Sequence, residues 1–222
     1  ITTQRAYSAS SKIITTAEGG MVTTNRPELA SHMRVLALHG ISKDAWNRYT
    51  EHGSWFYQVS AAGFKYNLSD VQSAIGIPQL QKLERFIAAR RARAELYHEK
   101  LAGLEEVELP RECPYGRHAW HLYIVRLKLE KLVIGRNEFI ERLRRRRVGD
   151  SVHFIPIQLH PFFAGRAGLR QNRCPRSLAL YERIISLPLY PSLTGEEVNR
   201  VAAAVREIAA AARRTRAVAV TE

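Results

Sequence analysis

The stretch that constrains the fold most begins at Ser69. "SDVQSAIGIPQLQKLERFIAARRARAELYHEKLAGL" keeps its apolar residues on one stripe until Gly103, the periodicity of a helix with one buried face. Ser69 suits the cap of such a helix, because its hydroxyl can take a backbone N–H that the first turn leaves unpaired. Pro78 has no N–H to give and its ring crowds the preceding turn, so the pattern predicts a long helix kinked or divided there.

The rest of the chain mixes both periodicities. "KIITTAEGGMVTT" places Ile, Val and Thr on either side of Gly19-Gly20 and predicts a β-hairpin. "RPELASHMRVLALHG" predicts a helix with Pro27 near its start and Gly40 as its stop. Residues 41–66 set Trp46, Tyr49, Trp55, Phe56 and Tyr57 among Gly and Ser, an aromatic loop of the length that tends to carry function. Beyond Val107, "HAWHLYIVRLKL" and "DSVHFIPIQ" read as strands and "GRNEFIERLRRRR" as a helix. "CPRSLALYERIISLPL" reads as a helix leading to a short extended piece, and "TGEEVNRVAAAVREIAAAARR" as a terminal helix capped by Thr194, with a frayed tail from Arg213. From about Val107 the pattern shifts, and strands alternating with helices make a small α/β or α+β domain.

Composition narrows the class. With 222 residues, 45% of them hydrophobic, the chain can build a real core. No run approaches the roughly 20 apolar residues that span a bilayer, and no secretory leader opens it, so a cytoplasmic protein with no membrane partner is expected. Cys113 and Cys174 stand alone, as suits a reducing compartment. The chain begins at Ile1 with no methionine before Met21, as a piece of a longer protein would. The charge of +13 comes from 34 Lys and Arg against 21 Asp and Glu. Its densest run, Arg142 to Arg147, sits among helix formers with no interleaved aromatic platform, so a solvated helix face is expected rather than specific nucleic-acid recognition.

Several side chains could carry chemistry. His118 and His121, three apart in a strand-like segment, would face opposite sides and share no metal. His153, His160 and Phe162-Phe163 suggest a lined pocket, with satisfied core histidines as the plainer alternative. Glu18-Gly19-Gly20 lacks the G-K-[ST] of a phosphate-cradling loop. Lys12 stands between small hydroxyl residues and this acidic diglycine turn, an unusual place for a cation that is ordinarily solvated.

Taken in order, these segments resemble the DegT/DnrJ/StrS sugar aminotransferases, a pyridoxal-phosphate family of the aspartate-aminotransferase fold. "SKIITTAEGGMVTT" looks like the family's lysine motif. "RVLALHG", "GFKYNLSDVQSAIGIPQLQKLERFIAARR", "HAWHLYIVRL", "SVHFIPIQLHPFF" and "SLPLYPSLT" look like its later blocks, from Ser8 to about Ile208. The "HGISKDAWNRY" insert is most similar to members acting on UDP-4-keto sugars, as in the 4-amino-4-deoxy-L-arabinose branch.

The resemblance implies a C-terminal portion of that fold: a remnant of the large domain over 1–105 and a small α/β domain over 106–222. It implies pyridoxal phosphate held covalently by Lys12, with Ser8 near the phosphate and Asn67 reaching the cofactor phosphate of a neighbouring subunit, hence a homodimer. His153 and Phe154 would meet the substrate, a nucleotide-linked keto sugar, and glutamate would be the amino donor. A lysine amine is nucleophilic only when neutral, which a partly desolvated pocket favours. The departures are Tyr7 where the family commonly has serine five residues before the lysine, Arg147 where it has a helix-ending glycine, and Leu178 where it has glutamate. The family's preceding half supplies most of a parallel sheet, a Gly-Thr phosphate turn, a ring-stacking aromatic residue and the aspartate facing the pyridinium nitrogen. None of these precedes Lys12 here, which leaves open a truncated, non-catalytic relative that serves as a dimerisation or interaction module.

Overall fold

The computed structural model describes residues 20–41, 57–164 and 174–214. Ser8, most of the expected hairpin with Lys12, and the aromatic loop up to Phe56 lie outside them. Gly20 to Thr24 form irregular backbone. Packing divides the chain into two compact units, Ile1–Lys82 and Leu83–Glu222.

In the first unit α1 (Pro27–Ala37) starts with proline in its first turn, where the missing N–H costs nothing. It ends on two left-handed residues, His39 (φ 56°) and Gly40 (φ 71°), and Gly40 N–H closes the end on the Val35 carbonyl at 2.9 Å. The chain then returns beside this end, with isolated bridges Ile41–Val59 and Leu38–Lys65. The approach is close: a Cβ on Gly40 would sit 1.7 Å from the Ala61 carbonyl oxygen, and one on Gly63 2.0 Å from the Gly40 nitrogen. Helix α2 (Asp70–Gln81) opens on a reciprocal cap in which Ser69 Oγ accepts from Gln72 N–H and the Gln72 side chain accepts from Ser69 N–H. Pro78 stays inside α2, and the division falls one turn later at Lys82, whose N–H turns back to the Gln79 carbonyl. Neither α1 nor α2 has a buried residue, and Val71, Ile77 and Leu80 of α2 are 71, 62 and 65% exposed.

The second unit holds the core. Helix α3 (Leu83–Leu101) leads to β1 (Val107–Glu108), β2 (Tyr123–Leu127), α4 (Arg136–Arg145), α5 (Pro175–Tyr181), β3 (Ile184–Leu187) and α6 (Gly195–Ala211). The strands form one antiparallel sheet in the order β1-β2-β3, with Val107 opposite Leu127 and Tyr123 opposite Leu187. Along β2, Tyr123, Val125 and Leu127 are buried while Ile124 and Arg126 are not, the two-residue alternation of a one-sided sheet. Helix α3 packs on α6, and α4 packs on α6 and β3. Ala94, Tyr97, Phe139, Leu143, Ile185, Val198, Val205 and Ile208 close this core, each of the larger ones contributing about 1.5–3 kcal/mol by leaving water. Every buried apolar residue among those described lies at Ile87 or beyond.

Three expectations are corrected. "DSVHFIPIQ" is not a strand: only Ser151 pairs, with Ser186, and Pro156, which has no N–H for a ladder, precedes a single 3₁₀ turn at Ile157–Leu159. "HAWH" is irregular, because Trp120 takes a left-handed φ of 47° and is buried against His98 and Tyr123. Arg213 is not frayed: it bridges Leu132, Arg214 N–H reaches the Lys131 carbonyl at 2.8 Å, and the Arg213 guanidinium donates to the buried Glu106 carboxylate. The compact units meet in sequence at 82/83, and α3 packs on α6 within the second.

Candidate cofactor and substrate site

Asn67 belongs to the first unit, and three backbone bonds locate the strip before it. Phe64 N–H reaches the Leu36 carbonyl at 2.7 Å, Tyr66 N–H the Ala37 carbonyl at 2.8 Å, and His39 N–H the Phe64 carbonyl at 2.8 Å. The "FKYN" strip thus clings to the C-terminal end of α1, its Phe64 and Tyr66 rings stacked at 4.9 Å. Asn67 is half-buried, and its Oδ1 accepts from Lys65 Nζ at 2.5 Å. This pairing leaves the amide N–H groups of Asn67 and two ammonium protons of Lys65 as donors. A phosphate dianion, the charged end of pyridoxal phosphate, asks for that chemistry, so these residues fit the group. Lys65 is the member of the pair that sequence reasoning missed; its spacing from Asn67 was the available signal.

His153 and Phe154 belong to the second unit. The rings meet edge-to-face at 4.7 Å, and Phe154 is 75% exposed, an apolar surface open to a ligand. His153 Nδ1 lies 2.8 Å from Ser186 Oγ. Ser186 also exchanges both backbone bonds with Ser151, at 2.8 and 3.3 Å, so a single residue of β3 fixes the segment and its histidine. Sequence reasoning missed Ser186, a lone hydroxyl within the apolar "IISLPL". Phe162 is 63% and Phe163 38% exposed, so among the described residues neither ring is enclosed.

Three of the five arginines in the basic run are paired locally. Arg142 pairs with Glu138, Arg144 with Glu141 and Asp150, and Arg146 with Glu207. Arg147 ends α4 in the left-handed region at φ 58°. Its N–H meets the Arg144 carbonyl at 2.8 Å and Val148 N–H the Leu143 carbonyl at 3.1 Å, a helix-ending motif that usually calls for glycine.

Residues 7–206 match the model of the DegT/DnrJ/EryC1/StrS aminotransferase family. The uncharacterised protein MJ1066 of Methanocaldococcus jannaschii is 45% identical over 197 residues, and the spore coat polysaccharide biosynthesis protein SpsC of Bacillus subtilis 41% identical over 198; in both cases the match covers 89% of this chain and 51% of the relative. The chain therefore spans about half the length of the curated relatives it matches. Among solved structures, Spr1654 of Streptococcus pneumoniae in its PMP form superimposes with a TM-score of 0.74 at 25% identity, over 86% of this chain and 47% of that one. This chain belongs to the DegT/DnrJ/EryC1/StrS aminotransferases. It has part of their pyridoxal-phosphate-dependent transferase fold. Among the described residues no helix is long and apolar enough to cross a membrane.

Proposed function

We propose that this chain is the lysine-bearing portion of a cytoplasmic, homodimeric aminotransferase that moves an amino group from glutamate to a nucleotide-linked keto sugar for cell-envelope polysaccharide or secondary-metabolite synthesis. The observation that carries the reading is the lysine motif "SKIITTAEGGMVTT" inside the family match, in a chain 41% identical to a polysaccharide biosynthesis protein. Pyridoxal phosphate, when bound, supplies an electron sink for the carbanion left as the donor's Cα loses its proton. Lys12 would hold the cofactor covalently and, once released, its neutral amine would take the donor's Cα proton and deliver it to the cofactor carbon that bears the donor's nitrogen. Ser8, and Asn67 with Lys65, hold the phosphate, Asn67 across the dimer. His153 and Phe154 take the sugar side.

The test is an absorbance scan of the 222-residue chain with added pyridoxal phosphate, followed by borohydride reduction and peptide mapping. A visible band fixed by reduction on the Lys12 peptide, and lost in Lys12→Ala, supports the reading and justifies assays with 4-keto nucleotide sugars. Label scattered over surface lysines would show that this portion cannot hold the cofactor by itself. It would favour the interaction-module reading, to which the exposed apolar residues of α2 already lend support.

A further inference from the structure

Ser186 is 4% exposed, in a strand whose other side chains are Ile184, Ile185 and Leu187. A hydroxyl there must find a partner or lose the hydrogen bonds it had in water. Among the described residues it has one, His153 Nδ1 at 2.8 Å. The hydroxyl can give its one hydrogen to Nδ1 or accept one from it, and the direction follows the tautomer of the ring. Donation by Oγ–H requires an unprotonated Nδ1, which in the neutral ring puts the proton on Nε2, whereas acceptance would leave the buried hydroxyl hydrogen without a partner among the described residues. The same residue grips Ser151 with both of its backbone groups. The segment and the ring of its histidine are therefore both held from one point on β3.

We propose that Ser186 is a positioning residue: its buried hydroxyl holds neutral His153 as the Nε2–H tautomer, so that His153 acts as a hydrogen-bond donor to an oxygen of the sugar-nucleotide substrate rather than as a proton acceptor toward it. The substrate half rests on the aminotransferase reading; the tautomer does not. Nε2 has no partner among the described residues, and the neighbouring Phe154 ring is exposed, so the donor and an apolar surface are offered together. That combination suits a pyranose or a ribose, with apolar ring faces and oxygen-rich edges.

The test is long-range proton–nitrogen NMR of the full chain labelled with 15N-histidine, at about pH 8.5, above the usual imidazole value of about 6.5. His153→Gln assigns the signal. The expected pattern has an unprotonated Nδ1 and a protonated Nε2, collapses to a tautomer mixture in Ser186→Ala, and returns in Ser186→Thr. Ser186→Cys, which keeps the shape with a weak donor, serves if the alanine variant fails to fold by circular dichroism. A proton on Nδ1 in the unmodified chain, or an alanine variant with an unaltered pattern, overturns the proposal. UDP-glucose and UDP are then titrated separately. A shift of the Nε2 signal with both assigns a phosphate, ribose or base oxygen, and a shift with UDP-glucose alone a sugar oxygen. An intact tautomer that neither ligand perturbs supports positioning by Ser186 and overturns the substrate role of His153, while the aminotransferase reading is tested separately by the labelling of Lys12.

Discussion

Arg147 bears a conformation that its side chain does nothing to favour. At φ 58° its Cβ crowds the carbonyl, a cost of roughly 1–2 kcal/mol for an L-residue, partly offset in a glycine variant by that residue's greater freedom in the unfolded chain. Arg147→Gly is expected to stabilise the chain by about 0.5–1 kcal/mol, read as a higher urea midpoint with an unchanged slope. Glu112 supplies a pH prediction. The Arg91 guanidinium, and after it the His118 backbone N–H, hold its carboxyl down at about 2. The unfolded chain takes up that proton near the ordinary value of about 4.3, so between about pH 4.5 and 2 it binds more protons than the folded one and stability falls as pH falls. Above that window the contribution is complete. Glu112→Gln should flatten the fall in urea midpoint between pH 5 and 3; an equally steep fall would remove Glu112 from the account. Arg147 was legible because glycine is the expected residue after such a helix. Ser186 was not, since one serine in an apolar run reads as a tolerated small residue until its partner, 33 positions away, is placed beside it.

At the scale of elements, the caps were legible because their chemistry is local. Thr194 Oγ1 accepts from Glu197 N–H at 3.2 Å and the Glu197 carboxylate accepts from Thr194 N–H at 2.8 Å, the same reciprocal arrangement as Ser69 with Gln72. Thr194→Ala is expected to cost about 1 kcal/mol of global stability, since α6 is built into the core, whereas Ser69→Ala should speed hydrogen exchange within α2 and leave the global midpoint nearly unchanged. Exchange measured residue by residue separates the two. The "DSVHFIPIQ" strand was misread for the opposite reason. Alternation describes one chain, but a strand needs an edge to pair with, and β3 offers that edge at Ser151 before Pro156 breaks the ladder. "HAWH" failed because burying the Trp120 indole turned the backbone out of the extended region.

Across the whole molecule, the six ordered blocks made the family readable, while the substrate was not, because this chain spans about half of its relatives. The two units differ in what holds them. Leu143, with no exposure in the core of the second unit, should cost about 2–5 kcal/mol as Leu143→Ala, seen in the main denaturation transition. The first unit has helices closed by caps and turns around no buried apolar side chain among the described residues. That has a calorimetric consequence. The heat-capacity increment of unfolding follows newly wetted apolar surface, and α1 and α2 have little left to wet. A chain of 222 residues with an ordinary core throughout would show an increment of about 3 kcal/mol/K. Leu83–Glu222 alone would give nearer 2, and α1 and α2 would add little to it, having kept their apolar surface in water.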